Sequence, residues 1–87
     1  MTEIITDVLV AALHGEKKTR IMSKANLSYS LTCYYLAYLT RARLMMVTNE
    51  ESRGTIYMTT RKGRRFLSGF KEAKSLLDAG EPETVVE

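Results

Sequence analysis

The sequence predicts a small, mainly α fold with one β-hairpin (α+β), in the order helix, short helix, helix, hairpin, helix. Three observations carry this. Apolar residues recur at three- and four-residue spacing over 2–14, 29–42 and 61–78, the period of a half-buried helix. Two runs rich in β-branched and large apolar residues, "LMMVTN" and "TIYMTT", flank the polar tip "EESRG", the pattern of a hairpin. The chain has 87 residues, enough for one domain but one that buries only roughly 60–65% of its unfolded surface, so oligomerisation is a common source of added stability.

Each element has its own signals. In the first helix, Thr2 is placed to cap, Glu3 and Asp7 suit the positive end, and Ile4, Ile5, Val8, Leu9 and Ala12 form one stripe. His14-Gly15 closes it, with Gly15 past the end. Thr19 reads as the cap of a short second helix, "RIMSKA", with Ile21, Met22 and Ala25 turned inward. Asn26-Leu27 turns the chain, and Ser28 caps a third helix near 29–42. After the hairpin, Thr60 caps a last helix over about 61–78, ended by Ala79-Gly80. The domain reading is 1–60 for the helical body with its hairpin, 61–79 for the last helix, and 80–87 for an acidic, loose tail.

Two helices joined by a tight turn and followed by a hairpin make a winged helix-turn-helix, in which the second helix of the pair is the one offered to the DNA major groove. At about 100° per residue, Leu31, Tyr35, Tyr38 and Leu39 fall on a core face, with Leu36 at its margin. Tyr29, Ser30, Cys33, Tyr34, Ala37, Thr40 and Arg41 fall opposite. Ser28, Tyr29, Ser30, Cys33, Tyr34 and Ala37 are therefore the candidate base readers: hydroxyls, a thiol and a methyl that can meet base edges and thymine methyls. No Arg or Lys precedes Arg41 on this helix, so bidentate guanine readout is missing there and weak or A·T-leaning discrimination is expected.

Charge agrees with that reading. Residues 1–77 hold all 13 Lys/Arg against 6 Asp/Glu, while 78–87 hold 4 acids and no base. A basic body points to a polyanionic partner. The candidate phosphate contacts are Lys17, Lys18, Thr19, Arg20 and Lys24 on one side of the third helix and Arg41 and Arg43 on the other. Arg53 at the hairpin tip is placed to enter a minor groove, although Glu50 and Glu51 beside it oppose a phosphate. Arg61, Lys62, Arg64 and Arg65 open the last helix, where the macrodipole disfavours cations; a nearby phosphate or an acidic neighbour would offset that.

Several pieces together become specific: "KKTRIMSKANLSY", Tyr35-Leu36-x-x-Leu39 and "MTTRKGRRFL". Over roughly residues 4–70 they closely resemble small archaeal winged-helix DNA-binding proteins that dimerise through a C-terminal helix paired as an antiparallel coiled coil. The resemblance implies a homodimer bound to double-stranded DNA, in transcription regulation or chromatin organisation. Where such proteins usually carry a glycine before the first wing strand, this chain has Arg43-Leu44-Met45. Its last helix is also shorter than in chromatin-type members, which favours a compact dimer. Along that helix Gly63, Phe66, Phe70, Ala73 and Leu77 keep seam spacing, with Leu67 and Leu76 at its flanks. Phe66, Phe70, Ala73 and Leu77 are the expected dimer contacts.

Catalysis is not expected. One His, one Cys, no spaced acid pair, no phosphate loop and no metal-ligand spacing occur, so no cofactor or metal is expected either. Cys33 is a small filler or a redox-sensitive group; no cation lies within a turn of it in sequence, which favours the filler. The lone cysteine and the lack of a long apolar run or basic leader point to a cytoplasmic, nucleoid-associated protein off the membrane. The competing function is a winged-helix protein-interaction module in a transcription or viral assembly, anchored by Tyr29 and Tyr34.

Overall fold

The structure is a computed structural model and describes residues 2–80, with side chains over 3–72. The expected Thr2 cap, the Ala73 and Leu77 contacts, and the tail beyond Gly80 lie outside those limits. The elements are α1 (Thr2–Ala11), α2 (Lys18–Ala25), α3 (Tyr29–Arg41), β1 (Met45–Glu50), β2 (Gly54–Thr59) and α4 (Arg61–Gly80), in the expected order. Ile5, Val8, Leu9, Ala12, Ile21, Tyr35, Leu36, Leu39 and Met45 form one core cluster, so every helix of the body and the hairpin share a single apolar interior.

The first helix ends three residues earlier than expected, because the chain is drawn toward the hairpin. Glu16 and Tyr57 exchange both backbone hydrogen bonds, at 2.9 and 2.8 Å, and the Ala12 carbonyl accepts from Thr59 N–H at 3.0 Å. Gly15 makes the exit at φ +95°, a left-handed conformation that glycine adopts without a Cβ clash. The same bridge moves the start of α2. Lys17, held extended at φ −77°, ψ 155°, occupies the N-cap without a side-chain hydrogen bond. Thr19, expected as the cap, instead sits exposed inside the helix.

Asn26 ends α2 in the left-handed conformation at φ 56°, one that Asn tolerates better than most residues. Leu27 N–H then closes on the Met22 carbonyl at 3.0 Å. Ser28 caps α3 as expected, its Oγ accepting from Leu31 N–H at 3.1 Å. At the far end of α3, Arg43 stands at φ 66°, so the position keeps the geometry that suits glycine while carrying a long cation. A non-glycine residue there costs about 1–2 kcal/mol.

Antiparallel pairing runs from Met45↔Thr59 to Glu50↔Gly54. The hairpin tip is thus residues 51–53, with Glu50 and Gly54 inside the strands. Gly54, at φ 81°, closes the turn. Thr60 caps α4 as expected, accepting from Gly63 N–H at 3.1 Å. The helix reaches Gly80, two residues beyond the expected end.

The largest correction concerns the face of α3. Leu31 and Tyr38, expected inside, are 43% and 42% exposed, while Thr32 is fully buried beside Tyr35, Leu36 and Leu39. Residues 32, 35, 36 and 39 are an ordinary helical stripe, but one led by a threonine. Its burial is tolerated because Thr32 Oγ1 donates to the Ser28 carbonyl at 2.8 Å, which leaves no unmet hydroxyl in the core.

Gly63 carries a second packing constraint. It is buried, and a Cβ there would land on the Leu44 carbonyl oxygen and within 2.6 Å of Thr59 Cγ2. Gly69, one and a half turns on, has open space around its Cα. The two glycines should therefore respond with opposite signs. Gly69→Ala should stabilise by roughly 0.5–1 kcal/mol through helix propensity, whereas Gly63→Ala should destabilise by about 1–3 kcal/mol through overpacking. Thermal unfolding checks this, since about 1 kcal/mol shifts Tm by roughly 4–8 °C in a domain this size; equal shifts would contradict the close approach of Gly63 to Leu44 and Thr59.

Candidate nucleic-acid interface

With Thr32, Tyr35, Leu36 and Leu39 turned inward, the outward side of α3 presents Ser30, Tyr34, Ala37 and Arg41, all exposed. Tyr29 at the N-terminal end is 60% exposed and Tyr34 56%. Tyr34 stands edge-on to Tyr35, ring centroids 5.1 Å apart, so its position is fixed by a core neighbour while its hydroxyl faces solvent. Ser28 is exposed but its Oγ is engaged as the cap. Five of the six expected base-reading residues thus share one accessible face and its edges. Cys33 is half-buried at the edge nearest the hairpin. Thr40, expected on the outer face, is half-buried, with its Oγ1 inside and without a hydrogen-bond partner among the described residues.

Between α3 and the hairpin runs an open groove of about 550 Å³, lined by Lys18, Cys33, Ala37, Arg41, Val47 and Tyr57. Lys18 joins the two walls. Its Nζ lies 3.7 Å from Cys33 Sγ and 5.4 Å from the centroid of the Tyr29 ring. The Tyr57 phenol, then the Cys33 thiol and the Tyr29 phenol, hold the Lys18 ammonium above its ordinary pKa. The sequence showed no cation near Cys33 because this one comes from α2, 15 residues away.

The other expected phosphate contacts divide into free and engaged groups. Lys17, Arg20, Arg41 and Arg43 are exposed and have no ion-pair partner among the described residues. Lys24 donates to Glu16 at 2.9 Å, and that hydrogen bond is the chief reason the Glu16 carboxyl stays below its usual pKa. Since the folded-state pKa is depressed, the pair contributes at neutral pH and is lost as pH falls through the lowered value. Arg53 is tied back: one guanidinium nitrogen lies 3.4 Å from Glu50 and the other 3.4 Å from the Gly15 carbonyl. It braces the hairpin tip against the α1–α2 turn, while Glu51, Ser52 and Arg53 itself stay exposed at the tip.

One of the α4 cations, Lys62, has a partner the sequence did not show. Lys62 Nζ donates to the Ala42 carbonyl at 2.9 Å, so the positive charge that opens α4 meets the negative C-terminal end of α3. Phe66 and Leu67 pack against the core cluster. Phe70 lines a groove with Val10 of α1 and Leu13 just past its end. Among the described residues no group of His, Cys, Asp and Glu can hold a metal, and no helix is long and apolar enough to cross a membrane.

Comparison with known proteins agrees with this architecture. A family model described as winged helix-turn-helix matches residues 1–78. No curated protein matches the chain. Among solved structures, the chain is similar to Sso10a-2, a DNA-binding protein from Sulfolobus solfataricus, with 25% identity over 97% of this chain and 92% of that one, at a TM-score of 0.74. It is also similar in fold to BpsR of Bordetella bronchiseptica, whose DNA binding is regulated by 6-hydroxynicotinic acid, with 14% identity over 91% of this chain and a TM-score of 0.75. A third likeness is to the PcaV transcriptional regulator of Streptomyces coelicolor, with 20% identity over 95% of this chain and a TM-score of 0.66. The chain spans 64% of the length of each of these last two.

Proposed function

The chain belongs to the winged helix-turn-helix family, and on that premise we propose that it is a dimeric, non-catalytic regulator of transcription or chromatin that binds double-stranded DNA in the cytoplasm, at the nucleoid. The observation that carries this is the outer face of α3: Ser30, Tyr34 and Ala37 exposed and uncharged, with unpaired cations at both ends of the helix. Short hydroxyl and methyl groups can approach base edges in the major groove. The cations take phosphates, which supply affinity and register. Readout without a guanine-seeking Arg or Lys in the first turns gives modest sequence discrimination. The similarity to the DNA-binding Sso10a-2 supports the same reading.

Arg53 stays exposed while one guanidinium nitrogen lies 3.4 Å from Glu50 and the other 3.4 Å from the Gly15 carbonyl, so the proposed minor-groove contact falls to a side chain that also braces the wing. We assign dimerisation to α4, with Phe66, Phe70, Ala73 and Leu77 as its contacts; Gly63 is buried against Leu44 and Thr59 of its own protomer, while Phe66 is half-buried and also packs on the core. Two copies joined there should present their α3 helices about 34 Å apart, one turn of B-DNA.

One observation favours the interaction-module reading as a second role. Leu31, Tyr34 and Tyr38, at i, i+3 and i+7, are 43%, 56% and 42% exposed, an aromatic stripe of the kind that anchors protein interfaces. Co-purifying partners that survive nuclease treatment would support it.

Two measurements test the main reading. Duplex affinity should fall with salt along a log–log slope of about −9 or steeper per dimer, given about five phosphates met per subunit; a flat dependence, or no duplex binding at low salt, rejects DNA as the partner. Phe70→Asp should halve the mass seen by light scattering, whereas an unchanged mass removes Phe70 from the interface.

A further inference from the structure

The junction of α3, β1 and α4 gathers charge that the expected DNA-contact set leaves out. Thr60 Oγ1 donates to the Arg43 carbonyl at 2.8 Å and Lys62 Nζ to the Ala42 carbonyl at 2.9 Å. Thr60 N–H also reaches the Leu44 carbonyl at 3.0 Å. These bonds fasten the first turn of α4 to the end of α3, so Arg41, Arg43, Arg61, Lys62 and Arg65 belong to one corner of the molecule.

Helical phase separates that corner from the rest of α4. At about 100° per residue, Arg61 and Arg65 lie roughly 40° apart, and Arg65 lies roughly 60° from Lys62. Arg64 lies roughly 160° from Lys62 and roughly 60° from Arg61, and it is set apart by lining the groove against Thr6 and Val10 of α1 and Leu13 just beyond it. Arg41, Arg43, Arg61 and Arg65 are all exposed. None has a carboxylate partner among the described residues, whose two ion pairs are Lys24–Glu16 and Arg53–Glu50. Arg61 and Arg65 repel each other at i,i+4 spacing and both face the positive end of the helix dipole. A polyanion lying across the corner would relieve both effects.

We propose that Arg61 and Arg65, together with Arg41 and Arg43, form a second phosphate-binding edge, which takes the DNA backbone on the far side of the major groove from the strand that meets α2. This rests on the DNA-binding reading and extends it. The 13 residues of α3 make a rod of about 20 Å. Lys18 of α2 lies over Tyr29 at one end, and the new edge stands at the other. The major groove is about 12 Å wide, less than the length of this rod, so cations at its two ends can reach the phosphates of both walls.

The test is a salt series on the full-length protein with a duplex of about 20 base pairs, using the wild type, Arg61→Gln/Arg65→Gln, and Arg64→Gln. Two further phosphates per subunit would steepen the wild-type slope to about −12 to −13 per dimer. The double variant should return to about −9, and Arg64→Gln should stay with the wild type. An unaltered helical circular dichroism spectrum shows that the variants are folded, as expected for exposed positions. A double variant whose slope equals the wild type overturns the edge and leaves the DNA-binding reading standing. An equal loss from Arg64→Gln also overturns it, because general positive charge would then account for the effect. A flat wild-type slope removes both the edge and the reading beneath it.

Discussion

The buried side of α3 decides what the molecule can offer a partner. Thr32 is fully enclosed with Tyr35, Leu36 and Leu39, and its hydroxyl is satisfied by the Ser28 carbonyl. That bond lets a polar residue lead the core stripe without the penalty of a few kcal/mol for an unmet buried hydroxyl. It also fixes the rotation of the helix. Turned by one residue, α3 would bury Leu31 and Tyr38 and carry Ser30 and Tyr34 away from their present outward positions. The Ser28 cap and the left-handed Asn26 before it set where the helix starts, so turn and core agree on one orientation. The uncharged outer face follows from this packing.

Electrostatics then sort the cations by role. Glu16 and Glu50, the carboxylates in the described ion pairs, engage Lys24 and Arg53. Arg41 and Arg43 at the C-terminal end of α3, and Lys17 and Arg20 at the start of α2, have no ion-pair partner among the described residues, although the Arg20 charge also acts on Glu16. Exposed pairs of this kind contribute little stability; their effect is to restrict which cations are available to a polyanion. Arg43 shows the same bias in backbone form, holding a glycine-like φ of 66° while presenting a long charged side chain.

Local signals in the sequence carry much of the fold. Helix order, the Ser28 and Thr60 caps, Gly15 past the first helix and Gly54 in the wing turn all depend on neighbours within a few residues. What the sequence did not show depends on contacts far along the chain. Thr19 looked like a cap, but the Glu16–Tyr57 bridge holds Lys17 in that position. Leu31 and Tyr38 looked internal because periodicity weighs side-chain polarity and cannot see the hydrogen bond that suits Thr32 to the core. The contact of Arg53 with the Gly15 carbonyl, 38 residues away, is likewise invisible to local pattern. Gly63 fitted a seam by spacing, yet it serves as the point where α4 touches the Leu44 backbone.

The outer face of α3 as the surface that meets duplex is the central claim, and backbone amide NMR of the labelled protein titrated with a short duplex tests it most directly. The account predicts the largest shift changes at Ser30, Tyr34 and Ala37, with smaller ones at Arg41 and Arg43 and little change along the α1–α4 groove around Val10 and Leu13. Shifts concentrated in that groove, with the α3 amides unmoved at saturating duplex, would contradict it.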